Sequence, residues 1–330
     1  MKTPPDQPAE DTCSSGLFFI VGTGRSGTTL LQAMLDAHPN LRIPPETHFF
    51  ARFDPLVLVG RDTLDTDASI SRYVKLATSH PNWNDYGVSG DQLNAVIRAG
   101  AGDARRLFLW LLTHLTSETP AARIGEKTPR HESYIPRIRE LFPDAKFIHI
   151  HRDPRDVVLS MANRPWGEQK SLYARAKRCR DVYDRAEHYN RTLPPRCFAQ
   201  VSCETLIREP ERTLRRLCDF LGEPFDAAML EFHEREHAGF LEREREWKAL
   251  TTKPLDPTRV GRYKGRLSPY EIRVVEHVVG AHLERLGYTP EPGVRPLSLT
   301  WRIRMLTSHA AATAAEYARL AIARLTRCRA

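Results

Sequence analysis

The sequence is poor in three features that would place it quickly. It has only six cysteines in 330 residues, Cys13, Cys179, Cys197, Cys203, Cys218 and Cys328, and none stands at C-x-x-C or Cys/His ligand spacing. Neither a zinc site nor a disulfide framework is signalled, and a reducing, cytoplasmic compartment is expected. Long apolar runs are missing too: Leu17–Val21 and Leu107–Leu112 fall far below the roughly 20 residues of a membrane-spanning helix. Residues 1–15 are polar, Pro-rich and partly acidic, unlike a secretory leader, and read as a flexible tail. Charge of one sign is scarce once it is located. The 49 basic and 41 acidic side chains leave +8, but residues 295–330, with seven Arg against one Glu, carry +6 of it. The near balance elsewhere argues against a nucleic-acid surface.

What is present is a globular composition, 41% hydrophobic and 27% charged, in a chain long enough for one large α/β domain. Leu17–Val21, stopped by Gly22, has the pattern of a parallel strand buried on both faces. Leu30, Leu31, Met34 and Leu35 follow at helical spacing until His38-Pro39, and Leu41–Ile43 reads as a short strand. A second full unit begins at Arg123-Ile124-Gly125, turns at Lys127-Thr128-Pro129 and continues as a helix with Ile135, Ile138 and Leu141 on one face. Lys146–Ile150 is a further strand, after which Asp153-Pro154 supplies a cap and a first-turn proline. Cys197–Val201 and the helix Pro210–Leu221 complete the alternation. Such alternation predicts right-handed βαβ units: an α/β fold of three layers, with a central parallel sheet flanked by helices and ligands at the strands' carboxyl edge. The stretches 52–120 and 165–195 are helical insertions that supply no strand, and the first is expected on the acceptor side.

Gly22-Thr23-Gly24-Arg25-Ser26-Gly27-Thr28-Thr29 lies between the first strand and its helix. Glycines there let backbone N–H groups converge, and the helix start adds partial positive charge, so the loop is a phosphate cradle. Its spacing is that of a P-loop, except that Thr28 takes the place of the lysine that grips β- and γ-phosphates. The strand at 146–150 also ends in His151-Arg152 and not in an acidic magnesium ligand. A metal-assisted phosphoryl transfer is therefore disfavoured, and a donor whose transferred group carries less charge fits better.

Arg25-Ser26-Gly27-Thr28-Thr29-Leu30, Leu35-Asp36-Ala37-His38-Pro39 and Glu46-Thr47 together resemble sulfotransferases that use 3′-phosphoadenosine 5′-phosphosulfate, especially tyrosylprotein sulfotransferases and their bacterial relatives. That resemblance implies several roles. Gly24, Arg25, Ser26, Gly27, Thr28 and Thr29 would hold the 5′-phosphosulfate. Arg152, with Ser160 and Arg164 four apart on the next helix, would read the 3′-phosphate; the alternative is that Arg152 and Arg155 merely pair with Asp153 and Asp156 at the surface. Lys127, in Glu126-Lys127-Thr128-Pro129, would approach the bridging oxygen, and Glu46 would be the general base, partly desolvated between Pro45 and Phe49. His48 is the rival base. Arg262 and Lys264, in Val260-Gly261-Arg262-Tyr263-Lys264-Gly265-Arg266, resemble a late basic loop over the nucleotide. One departure stands out: Ser202 and Cys203 occupy positions where relatives often carry tyrosines.

The expected organisation is a tail at 1–15, a transferase domain at 16–290 and a basic amphipathic helical extension at 291–330. The extension could pack on its own domain, form a homo-oligomer, or touch an anionic membrane peripherally. The expected reaction is metal-independent sulfuryl transfer to a carbohydrate, lipid or other small-molecule hydroxyl. The rivals are a P-loop kinase-like transferase and a non-catalytic nucleotide-binding or membrane-docking module.

Overall fold

Phe18–Gly22 (β1) is buried along its whole length because it lies at the centre of a five-stranded parallel sheet. The computed structural model describes residues 16–55, 63–81, 83–116, 122–163, 170–235, 251–293, 298–300, 303 and 305–310. The other strands are Leu41–Arg42 (β2), Arg123–Lys127 (β3), Lys146–His151 (β4) and Phe198–Ser202 (β5), in the spatial order β2-β3-β1-β4-β5. Ile20 pairs with Lys127 and Gly22 with Ile150, so the carboxyl ends of β3, β1 and β4 meet at one edge. The loop after β1 and the residues after β4 are delivered there together.

Alternation along the strands divides the core in two. Phe19, Val21 and Phe147 face one side, where they pack with Phe49 and Phe50 of α2 (Phe49–Arg52) and Phe108 and Leu112 further on. Phe18, Ile20, Ile148 and Ile150 face the other, against Leu31, Met34 and Leu35 of α1 (Thr28–Asp36). The described part of the 52–120 insertion is largely helical: α3 (Asp67–Thr78), α4 (Gly90–Arg98) and α5 (Ala104–Thr116), with one isolated bridge, Thr63 to Asp103, among the described residues. Capping boxes at Thr66/Ser69 and Ser89/Gln92 start α3 and α4 by satisfying their first N–H groups.

After β3 come a 3-10 segment, Pro129–Tyr134, and α6 (Ile135–Leu141). Next are α7 (Pro154–Ala162) and α8 (Leu172–Thr192), then, beyond β5, α9 (Cys203–Arg208) and α10 (Pro210–Leu221). Finally α11 (Pro269–Val279) and α12 (His282–Arg285) pack against α7 and α8 through Val157, Val158, Tyr183, Val275 and Leu283.

Ser160 lies in α7, which ends at Ala162 with Asn163 at its cap. Arg164, expected on the same helix face, lies outside the described residues. So do residues 1–15 and 311–330, on which the two tail expectations largely fall. Of the extension, residues 305–310 are helical, Met305 is buried with α7, α8 and α11, and the His309 ring lies 3.0 Å from the Ser171 hydroxyl. No described helix is long and apolar enough to cross a membrane.

Candidate active site

The loop between β1 and α1 is shaped by what its neighbours leave room for. Gly27 has φ 98°, and a Cβ there would stand 2.7 Å from the Cys203 sulfur, so only glycine fits both the backbone and the space. Ser26 donates its hydroxyl to the Ile150 carbonyl at 3.0 Å, which ties the loop to β4. Its role is thereby that of a brace, with its N–H also closing a turn on Thr23. Arg25 sits in the left-handed region at φ 76°, and its Nε donates to Ser160 Oγ on α7 at 3.1 Å. Thr28 opens α1, whose first N–H groups have no intrahelical acceptor and face the loop.

Arg25, Gly27, Thr28, Thr29 and Arg152 line one cavity of about 280 Å³. Its remaining wall comes from Leu30 of α1, Cys203 and Ile207 of α9, Phe232, residues 251 and 253–256, and Arg259. Arg25, Arg152, Lys253 and Arg259 make the lining strongly cationic against the single carboxylate of Asp256. Burial, and then the repulsion of Arg262, pulls the Arg259 guanidinium below its ordinary range. Positive charge crowded in this way favours an anionic occupant.

Arg152 both pairs with Asp156 and faces this cavity, so the surface-pairing alternative describes only half of its role. One Nη donates to Asp156 Oδ2 at 3.0 Å and to the Arg259 carbonyl at 2.6 Å. Asp156 also accepts from the N–H groups of Gly261 and Tyr263, which moors the late basic loop to α7. Arg155 turns away from the site. It makes a fork with both Asp153 oxygens, bonds Glu276 at 2.7 Å and lies over the Tyr263 ring, in the interior and not at the surface. Arg262 and Lys264 do not line the cavity. They border an open groove with Arg266 that shares Asp256 and Arg259 with it.

A second centre forms at the end of β3. The Lys127 side chain is wholly buried, and its Nζ donates to Glu46 Oε1, 81 positions earlier. Glu46 keeps 18% of its side-chain area exposed, and His48 Nε2 lies 3.5 Å from its other oxygen. Burial lowers the His48 imidazole below its usual range despite the attraction of Glu46. Beneath the pair is Glu126, whose carboxylate has no exposed surface. It accepts from Thr47 Oγ1 at 2.9 Å, Thr47 N at 3.3 Å, Thr128 Oγ1 at 2.5 Å and His131 Nδ1 at 2.7 Å. Burial pushes the Glu126 carboxyl up, but His131, Thr128 and Thr47 together hold it down at about 2. Pattern reading placed Glu126 in a motif without giving it a function, and it did not foresee Arg259 or Phe232 as cavity walls. The only local signal for Glu126 is its place beside Lys127.

Residues 18–227 match the family model described as Sulfotransferase family. Among curated proteins, the chain is 29% identical over 290 residues to protein-tyrosine sulfotransferase 1 of Danio rerio, covering 83% of this chain and 72% of that protein. It is 28% identical to the Drosophila melanogaster protein-tyrosine sulfotransferase over 83% of this chain and 52% of the relative. Among solved structures, the sulfotransferase domain from the curacin biosynthetic pathway superposes with a TM-score of 0.57 at 19% identity, over 84% of this chain and 99% of that one. The corresponding domain from the Synechococcus PCC 7002 olefin synthase gives 0.55 at 22% identity, over 83% and 98%. At these identities the likeness to the two domains is one of fold.

Proposed function

The chain belongs to the sulfotransferase family, and we propose that it moves a sulfuryl group from 3′-phosphoadenosine 5′-phosphosulfate to an acceptor hydroxyl without a metal. The observation that carries this reading is the contact of Lys127 with Glu46 at the sheet edge that also bears the phosphate cradle. The cavity fits such a donor: a glycine-built cradle, a helix start and four cationic side chains face it. When bound, the donor supplies a sulfuryl group joined to its 5′-phosphate through a bridging oxygen.

Arg25 and the loop N–H groups hold the 5′-end, and Arg152 takes the 3′-phosphate, a task for which a guanidinium fork is suited. Arg262 and Lys264, in the adjoining groove, add positive charge near that end. Glu46 accepts the acceptor's proton as the acceptor oxygen bonds to sulfur, help commonly worth 10² to 10⁴ in rate. Lys127 neutralises the charge that builds on the bridging oxygen as its bond to sulfur breaks, an effect of a few kcal/mol. The products are a sulfate ester and the 3′,5′-bisphosphate nucleotide, and the proton leaves Glu46 for solvent.

The acceptor we assign is the hydroxyl of a carbohydrate, lipid or other small molecule, met on the side of the 52–120 insertion. A peptide tyrosine is the second reading, favoured by the names of the curated relatives. Glu46→Gln should slow transfer of labelled sulfate by about 10² to 10⁴-fold while binding of the bisphosphate nucleotide persists; full activity in that variant removes Glu46 from the mechanism. Mass spectrometry of extracts from cells with and without the protein, searching for the increment of one SO₃ group on small molecules and on tryptic peptides, separates the two acceptor readings.

A further inference from the structure

We infer that Glu126 is the positioning residue that sets Glu46 against Lys127. The inference rests on the proposed transfer reaction and adds to it a part that touches neither donor nor acceptor. Both reactive side chains are followed by a threonine, Thr47 after Glu46 and Thr128 after Lys127, and both threonine hydroxyls donate to the same Glu126 oxygen. One carboxylate thus clamps the segment after β2 to the end of β3. Thr128 Oγ1 also accepts from the His48 N–H at 3.2 Å, so the rival base hangs on the same clamp. The other Glu126 oxygen takes His131 Nδ1, fixing the 3-10 segment after Lys127.

A buried carboxylate is costly unless its lone pairs are filled, and here four donors from three residues fill them. Glutamine in this place keeps the shape but presents an NH₂ group to a ring of donors, so at least one contact must open. Side chains on β3 alternate between faces, which puts Glu126 opposite Lys127. The backbone between them is only one residue, so a shift of Glu126 is felt directly at the ammonium. Misplacement of a reacting group by about 1 Å can cost on the order of 10²-fold in rate.

The test is a double-mutant cycle on the full chain, reading single-turnover sulfate release from 3′-phosphoadenosine 5′-phosphosulfate to water. Glu126→Gln should slow release by about 10²-fold while calorimetric binding of the bisphosphate nucleotide stays unchanged. In the Glu46→Gln background the same substitution should cost clearly less than the roughly 10²-fold it costs alone, because one of the two groups it sets against each other is already gone. A multiplicative loss in the double variant, or wild-type release from Glu126→Gln alone, overturns the inference. Where Glu126→Gln does not fold, Thr47→Val supplies the same cycle. If the wild-type chain binds nucleotide but releases no sulfate, the transfer reading fails instead. The positioning role is then read from the ¹³C shift of the Glu46 carboxyl carbon, which must move in Glu126→Gln; an unmoved shift overturns it.

Discussion

Arg25 donates through Nε to the hydroxyl of Ser160 at 3.1 Å, across 135 positions of sequence. The contact joins the loop after β1 to the helix after β4, the two elements that the proposed donor would bridge with its 5′- and 3′-ends. It also aims a side chain whose backbone, at φ 76°, is in a region that non-glycine residues enter rarely. Strain of this kind costs of order 1 kcal/mol or more and persists where the surroundings over-determine it.

Arg25→Gly should separate strain from grip. Glycine accepts the left-handed backbone, so chemical denaturation should find stability unchanged or raised by up to about 1 kcal/mol. Calorimetry should find nucleotide binding weakened roughly 10- to 100-fold, the worth of a hydrogen bond to a charged group. A variant that is destabilised but binds normally would contradict both halves.

Gly27→Ala meets two obstacles, a positive φ and the Cys203 sulfur 2.7 Å from the new methyl group. A loss of about 1 to 3 kcal/mol in unfolding free energy is expected. Adding Cys203→Ala should recover the steric part and leave the backbone part. No recovery in the double variant would mean that the sulfur is not the obstacle.

Arg152→Ala tests which end of the nucleotide this side chain reads. Affinity for the 3′,5′-bisphosphate nucleotide should fall by about 10- to 100-fold, while affinity for adenosine 5′-phosphate, which lacks the 3′-group, should hardly change. An equal loss for both ligands would move Arg152 out of the 3′-phosphate site.

Two carboxyl groups give stability opposite pH trends. Burial lifts Asp36 to about 6, above its ordinary 3.8, although Ile43 N–H and Arg42 oppose the shift. The protonated form is therefore favoured on folding. Its contribution is complete below about pH 3.8 and is lost as pH rises through about 6. Asp36→Asn mimics that form, and its Oδ1 can still accept from Ile43 N–H, so stability at pH 7 should rise by about 1 to 3 kcal/mol. Glu126, held at about 2 against an ordinary 4.5, acts the other way: its contribution is present above pH 4.5 and is lost as pH falls toward 2. Denaturation curves of wild type, Asp36→Asn and Glu126→Gln across pH 2 to 8 check both signs; a flat difference between wild type and Asp36→Asn would refute the first.

Much of the fold was legible because its signals are local. Pro210 starts α10 and Leu221 ends it, as an apolar stripe between a first-turn proline and a C-terminal glycine requires. The strand-loop-helix turn after β1 was legible for the same reason, since glycines, a strand and a helix start lie within a dozen residues.

By itself, then, the sequence determined the strands, the glycine-built loop after β1 and the residue types available for transfer, because backbone propensity and side-chain periodicity act between near neighbours. Only the tertiary structure decided who meets whom. β2 pairs with β3 through Leu41 and Arg123, and this register carries the segment after β2 to the end of β3, where Glu46 finds Lys127 and Glu126 finds Thr47. The cavity wall from residues 251–259 arrives in the same way, through Arg152 and Asp156 holding a loop a hundred positions distant. Contacts of that range are set by the packing of the sheet and its layers, and no stretch of contiguous residues contains them.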